Sequence, residues 1–79
     1  MKTADSPSLS RREVQVLLTW IRCDSKAEVS RELYIAEGTV NTYLARIRGK
    51  YDEVGRTAPT KMALLARALQ DGLIGIDEL

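Results

Sequence analysis

Apolar positions recur along this chain with helical spacing in four separate stretches. In the first, Val14, Leu17, Leu18 and Ile21 follow at i, i+3, i+4 and i+7, which predicts one apolar helix face. Ser10 and Glu13 stand before it as an S-x-x-E capping box, with Leu9 and Val14 at the positions of a hydrophobic staple. Val16 and Trp20 fall on another side, so this helix is expected to be covered from two directions. Trp20 reads as core, with a partner contact as the alternative. A second S-x-x-E, Ser25 to Glu28, opens a shorter helix that runs to about Leu33. Val29 and Leu33 are its core pair, and Ser30 is small enough to admit a neighbouring helix. Tyr34-Ile35-Ala36-Glu37-Gly38 leaves room only for a tight turn anchored by Ile35. Two short helices joined this way describe a helix-turn-helix, a motif whose second helix can enter a DNA major groove.

The third stretch, from about Thr39 to Tyr51, separates its faces most sharply. On a wheel of 3.6 residues per turn, Val40, Leu44, Ile47 and Tyr51 fall within about 40° of one another and form the expected buried stripe. The opposite face collects Asn41, Thr42, Ala45, Arg46 and Gly49, flanked by Arg48 and Lys50. Asn and Arg suit base-edge hydrogen bonds, and residues with little side chain let a backbone approach closely. Gly49 argues against an ordinary solvated face, because an exposed mid-helix glycine costs about 1 kcal/mol relative to alanine. A helix end or kink there would be another reason for it.

A fourth helix is expected from Thr57 or Thr60, with Pro59 in its first turn and Gly72 as terminator. Met62, Leu65, Ala66 and Leu69 make its expected core face. Leu64 and Ala68 lie on the other side, so the apolar arc is wider than one core needs. Leu64, Arg67 and Ala68 therefore read either as scattered surface positions or as a small dimer seam.

Charge sharpens this picture. The 79 residues carry 12 Lys+Arg and 11 Asp+Glu, a net +1. That near-neutral total hides a gradient. Residues 38–67 hold six basic groups (Arg46, Arg48, Lys50, Arg56, Lys61, Arg67) against two acidic, whereas residues 68–79 hold three acidic and none basic. A stripe this modest neutralises few phosphates, so one copy should bind weakly and with marked salt sensitivity.

The inventory closes other routes. With no His there is no imidazole base and no His-ligated zinc site. Cys23 is the only cysteine, so no disulfide forms within the chain and no multi-cysteine metal site exists; an inert thiol in a reduced, cytoplasmic setting is expected. No catalytic residue, metal or cofactor is assigned. No apolar run approaches the ~20 residues of a membrane span. Residues 1–8, polar and broken by Pro7, read as a flexible tail or linker remnant before a single domain over 9–79.

Several ordered runs resemble the LuxR/NarL/FixJ-type DNA-binding domain, the effector of many bacterial response regulators and quorum-sensing regulators. They are Leu9-Ser10-Arg11-Arg12-Glu13-Val14, Ser25 to Leu33, Ile35-Ala36-Glu37-Gly38-Thr39-Val40-Asn41-Thr42-Tyr43, Lys50-Tyr51 and Gly72-Leu73-Ile74. The resemblance implies a compact all-α, four-helix domain with a central helix-turn-helix, the third helix reading double-stranded DNA and the fourth helping to form a homodimer on two half-sites. Carried over by position, it places Asn41, Thr42 and Ala45 on bases, joined by Arg46. Lys26, Thr39, Tyr43, Arg48 and Lys50 are the expected backbone contacts. Asn41 stands where the family often has Lys, Tyr43 where it often has His, Ala36 and Ser30 where Ser and Ala are usual, and Asp52 to Thr60 is longer than the usual connection.

The leading expectation is therefore a sequence-specific transcription regulator that also meets RNA polymerase. The alternatives are the promoter-reading fourth region of a sigma factor, which also carries E-G-T-V before its recognition helix, and a protein-interaction module that uses Trp20 and the last helix without nucleic acid.

Overall fold

A computed structural model describes residues 7–78. The segment 1–6 of the expected tail lies outside these residues; Pro7 and Ser8 lead directly into the first helix. Four α-helices follow in order: α1 Arg11–Arg22, α2 Lys26–Leu33, α3 Glu37–Glu53 and α4 Lys61–Gln70, then a single 3-10 turn, Ile76–Glu78. Among the described residues there is no strand. The all-α, four-helix expectation is met.

The first capping box forms as the spacing predicts. Ser10 Oγ accepts the Glu13 N–H at 3.1 Å, and Glu13 Oε1 accepts the Ser10 N–H at 2.8 Å. The second forms only by half. Ser25 Oγ accepts the Glu28 N–H at 3.2 Å, but the Glu28 carboxylate takes the Asp24 N–H instead. Thr60, not Thr57, caps α4, which leaves Pro59 outside the first turn. Gly72, at φ +72°, ends α4 as expected, letting the Leu73 N–H return to the Ala68 carbonyl.

The turn between α2 and α3 is made by a residue that pays for it in conformation. Tyr34 adopts the left-handed region (φ 56°, ψ 45°) and is almost fully exposed. Ser30 secures that turn from both sides: its hydroxyl donates to the Ile35 carbonyl, and its own carbonyl accepts the Ile35 N–H. The small side chain anticipated as a packing device thus acts as a hydrogen-bonding one.

The core joins Val16, Leu17, Val29, Val40, Leu44, Ile47, Tyr51, Ala58, Leu64, Ala68 and Ile74. In α3 the buried residues are the predicted four. On α1 the stripe is rotated from the predicted one: Val16 and Leu17 are fully buried, while Val14, Leu18 and Ile21 are half-buried. On α4 the prediction inverts. Leu64 and Ala68 have no exposed surface, Met62 and Ala66 face solvent, and Leu65 and Leu69 are intermediate. Because both arcs of α4 are apolar, its own sequence could not choose between them, and docking on α1 decides.

The long α3–α4 connection is stapled down. Asp71 accepts from the Tyr51 hydroxyl at 2.8 Å and pairs with Arg56 at 2.8 Å, while Arg67 donates to the Thr57 carbonyl at 3.1 Å. Burial and the acceptor Asp71 together raise the Tyr51 phenol well above its ordinary range, so it remains a donor at all working pH.

Glu13 carries a second role. Its carboxylate, almost completely buried, receives the Lys50 ammonium at 2.7 Å and so ties the start of α1 to the late turns of α3. Burial alone would raise the Glu13 carboxyl; the Lys50 and Ser10 hydrogen bonds and the Lys50 charge outweigh it and hold the group below the ordinary carboxylate range. A depressed carboxyl contributes stability that is fully present above its unfolded value, about 4.3, and lost as pH falls through the folded one. Urea titrations should therefore show wild type losing more stability than Glu13→Gln between neutral pH and pH 3. Equal losses would remove the pair from the acid response.

Candidate nucleic-acid interface

The face of α3 opposite its buried stripe stands open. Thr39, Asn41, Thr42, Ala45, Arg46 and Gly49 are all exposed, and they follow one another along the helix from its first turn to its last third. The reason is local: Val40, Leu44, Ile47 and Tyr51 pull one side fully into the core, so residues half a turn away project outward. The helix begins after Ala36, which offers no side-chain cap. No side chain therefore covers its first turn, where the Thr39 N–H returns to the Ala36 carbonyl at 3.0 Å.

The side chains on this face are unequally committed. Thr42 turns its hydroxyl back to the Gly38 carbonyl at 3.0 Å, which uses its O–H and leaves Oγ1 as an acceptor. Arg46 lies over the Tyr43 ring, 5.7 Å from guanidinium carbon to centroid. The stacked ring limits the rotamers of Arg46 before any partner arrives. Tyr43 itself is half-buried against the core, so the pair sits on a firm base. Arg48 is half-buried with its Nε enclosed.

Gly49 lies well inside α3, which continues to Glu53, so a helix end does not explain it. A Cβ built there meets nothing within 4 Å. The free domain therefore gains nothing from a glycine at this position. Gly49→Ala should stabilise the isolated domain by about 1 kcal/mol in thermal or urea unfolding. If the helix backbone approaches DNA here, the same variant binds duplex more weakly, and unchanged binding would make the glycine incidental.

Of the expected backbone contacts, Thr39 and Tyr43 lie on α3 and Lys26 opens α2. Lys50 is engaged elsewhere in the free domain: its ammonium donates to Glu13 and, at 2.9 Å, to the Ser8 carbonyl. Leu64, Ala68 and Arg67, the expected dimer seam, are turned inward or tied down. The first two are core, and Arg67 bonds Thr57 and Gln70 within its own domain.

Residues 7–63 match the family of bacterial regulatory proteins of the luxR type (GerE). The chain belongs to the luxR family. Its helix-turn-helix is therefore a DNA-binding domain, of a family that is not enzymatic. The family match stops three residues into α4, just beyond the long connection that Arg56 and Arg67 hold in place. The LuxR-type domain is also similar to the response regulator GacA of Pseudomonas aeruginosa, at 39% identity over 64 residues. That alignment covers 78% of this chain and 28% of the regulator, so the chain spans under a third of its relative. No solved structure matched. Among the described residues, no cluster of His, Cys, Asp and Glu could hold a metal ion, and no helix is long and apolar enough to cross a membrane.

One grouping on the LuxR-type domain escapes any reading of the sequence. Trp20 on α1 is flanked by Lys26 of α2, 5.9 Å from the ring centroid, and by Lys61 of α4, 4.3 Å from it. The two lysines stand 35 positions apart, and no local pattern connects them.

Proposed function

We propose that this domain lays α3 in the major groove of double-stranded DNA and reads sequence there, as the output module of a bacterial transcription regulator of the response-regulator kind working in the cytoplasm. The observation that carries this reading is the continuous exposed face of α3 opposite a fully buried stripe. Asn41 and Arg46 hydrogen-bond base edges, while Thr42 and Ala45 supply close apolar contacts. Thr39, Tyr43, Lys26 and Arg48 hold the backbone and set the register.

One module spans only a few base pairs, so useful specificity requires a second copy about one helical turn, ~34–36 Å, away. With Leu64 and Ala68 inside the core, such a pair of copies rests on DNA spacing or on other surfaces of α4. RNA polymerase is the further partner that a regulator of this kind implies. Membership of the luxR family favours the regulator over the sigma-factor reading.

The test is a DNA selection on the domain at low and moderate salt. Enrichment of a two-fold-symmetric motif supports paired half-sites, and a single enriched half-site supports α3 readout by one copy. No enrichment, with binding that vanishes as salt rises, would sink sequence-specific recognition.

A further inference from the structure

We infer that Lys61, at the first turn of α4, is a DNA phosphate contact that works together with Lys26 across the Trp20 ring. This rests on the proposed DNA reading and extends it to a helix outside the helix-turn-helix.

In a helix-turn-helix the helix before the recognition helix crosses the DNA backbone, and Lys26 is the first residue of that helix here. Lys61 reaches the same spot from the other end of the sequence. Both ammonium groups lie against a single indole, at 5.9 Å and 4.3 Å from its centroid, so they stand no more than about 10 Å apart. That separation is within the span of neighbouring phosphates on one strand, which repeat at several ångströms. Two half-buried cations held this close repel each other, and an anion bridging them relieves that repulsion.

The preparation of Lys61 points the same way. Its ammonium donates to the Cys23 carbonyl at the C-terminus of α1, which fixes the head of an otherwise flexible chain. One N–H is used, and two remain for another acceptor. Among the described residues neither lysine is ion-paired, in contrast to Lys50 and Arg56, which hold carboxylates at 2.7 and 2.8 Å. On α2, the Glu28 carboxylate accepts the Asp24 N–H at 2.9 Å. The indole N–H of Trp20 is buried without a hydrogen bond, and the ring's polar contacts are the two ammonium groups that approach its π system.

Trp20 is the only tryptophan, and it reports on the site directly. The experiment measures affinity for a mixed-sequence DNA duplex across a salt series, for wild type, Lys61→Gln and Lys61→Arg, with Trp20 emission followed during each titration. Wild-type binding at low salt is the control for the DNA reading itself; its absence overturns that reading and this inference together. Given binding, the slope of log affinity against log salt should shrink by about 0.9 in Lys61→Gln. It should stay at the wild-type value in Lys61→Arg, and wild-type Trp20 emission should shift as duplex saturates the protein. An unchanged slope in Lys61→Gln, an equal drop in Lys61→Arg, or unmoved Trp20 emission each overturns the contact while leaving α3 readout intact. Thermal unfolding of the three proteins separates charge from fold: a structural role alone would lower the Lys61→Gln midpoint and leave its salt slope unchanged.

Discussion

Replacing Asn41 and Arg46 together by alanine is expected to remove most of the preference for a selected DNA site while leaving the fold intact. Both residues are exposed on α3, outside the buried stripe that holds the helix to the core. Each well-placed side chain that reads a base edge discriminates by about 1–3 kcal/mol. The double variant should thus lose at least ~30-fold in affinity for the selected sequence, at 1.4 kcal/mol per factor of ten. The two single changes should separate in kind. Asn41→Ala removes no charge, so it should relax sequence preference with little effect on salt dependence. Arg46→Ala also removes a cation and should flatten the salt slope by up to about 1. It frees Tyr43, whose ring currently stacks on the guanidinium. Fluorescence anisotropy on selected and scrambled duplexes measures both effects. Retention of wild-type discrimination by the double variant would take base reading away from this face.

Leu64→Ala is expected to be among the most damaging single changes, through the monomer's own core. Leu64 has no exposed surface and packs among the side chains that join α4 to the rest of the domain. Truncating a buried leucine costs about 2–5 kcal/mol, from lost burial and from the cavity left behind. A domain of 79 residues has only about 4–12 kcal/mol in total, so this is a large fraction. Met62→Ala, at a position 73% exposed on the same helix, should change stability by no more than about 0.5 kcal/mol. Urea unfolding at two protein concentrations distinguishes the packing explanation from an interface. A core residue lowers the midpoint equally at both concentrations, whereas a seam would make the loss depend on concentration. A concentration-dependent Leu64→Ala effect would restore the seam.

The contrast between α3 and α4 explains what could be read in advance. On α3 the apolar residues occupy one narrow stripe and everything opposite is polar or small, so the buried and open faces follow from spacing alone. On α4 the sequence Met62-Ala63-Leu64-Leu65-Ala66 is apolar nearly all round, and periodicity identifies a helix without orienting it. The rotation of the buried stripe on α1 has a similar origin, since Val14, Val16, Leu17, Leu18, Trp20 and Ile21 surround most of that helix. Ser30 is a different case. A single serine among helix formers says nothing of the Ile35 carbonyl, which the turn brings back onto it.

The candidate site divides along the same line. The contents of the open face of α3 are set by the order of residues within one helix, and so are the Ser10 cap, the turn and the Gly72 stop. These depend on groups a few positions apart, whose relative placement the helix geometry itself dictates. The engagement of Lys50 with Glu13, the stapling of the long connection by Arg56 and Arg67, and the meeting of Lys26 with Lys61 over Trp20 bring together residues 10 to 37 positions apart. Such pairings exist only once the helices have docked: α3 on α1 brings Lys50 to Glu13, and α4 on α1 brings Lys61 to Trp20 and the Cys23 carbonyl. The sequence by itself thus determined which face of α3 lies open, and the tertiary structure decided which cations are held by carboxylates and which two meet on Trp20.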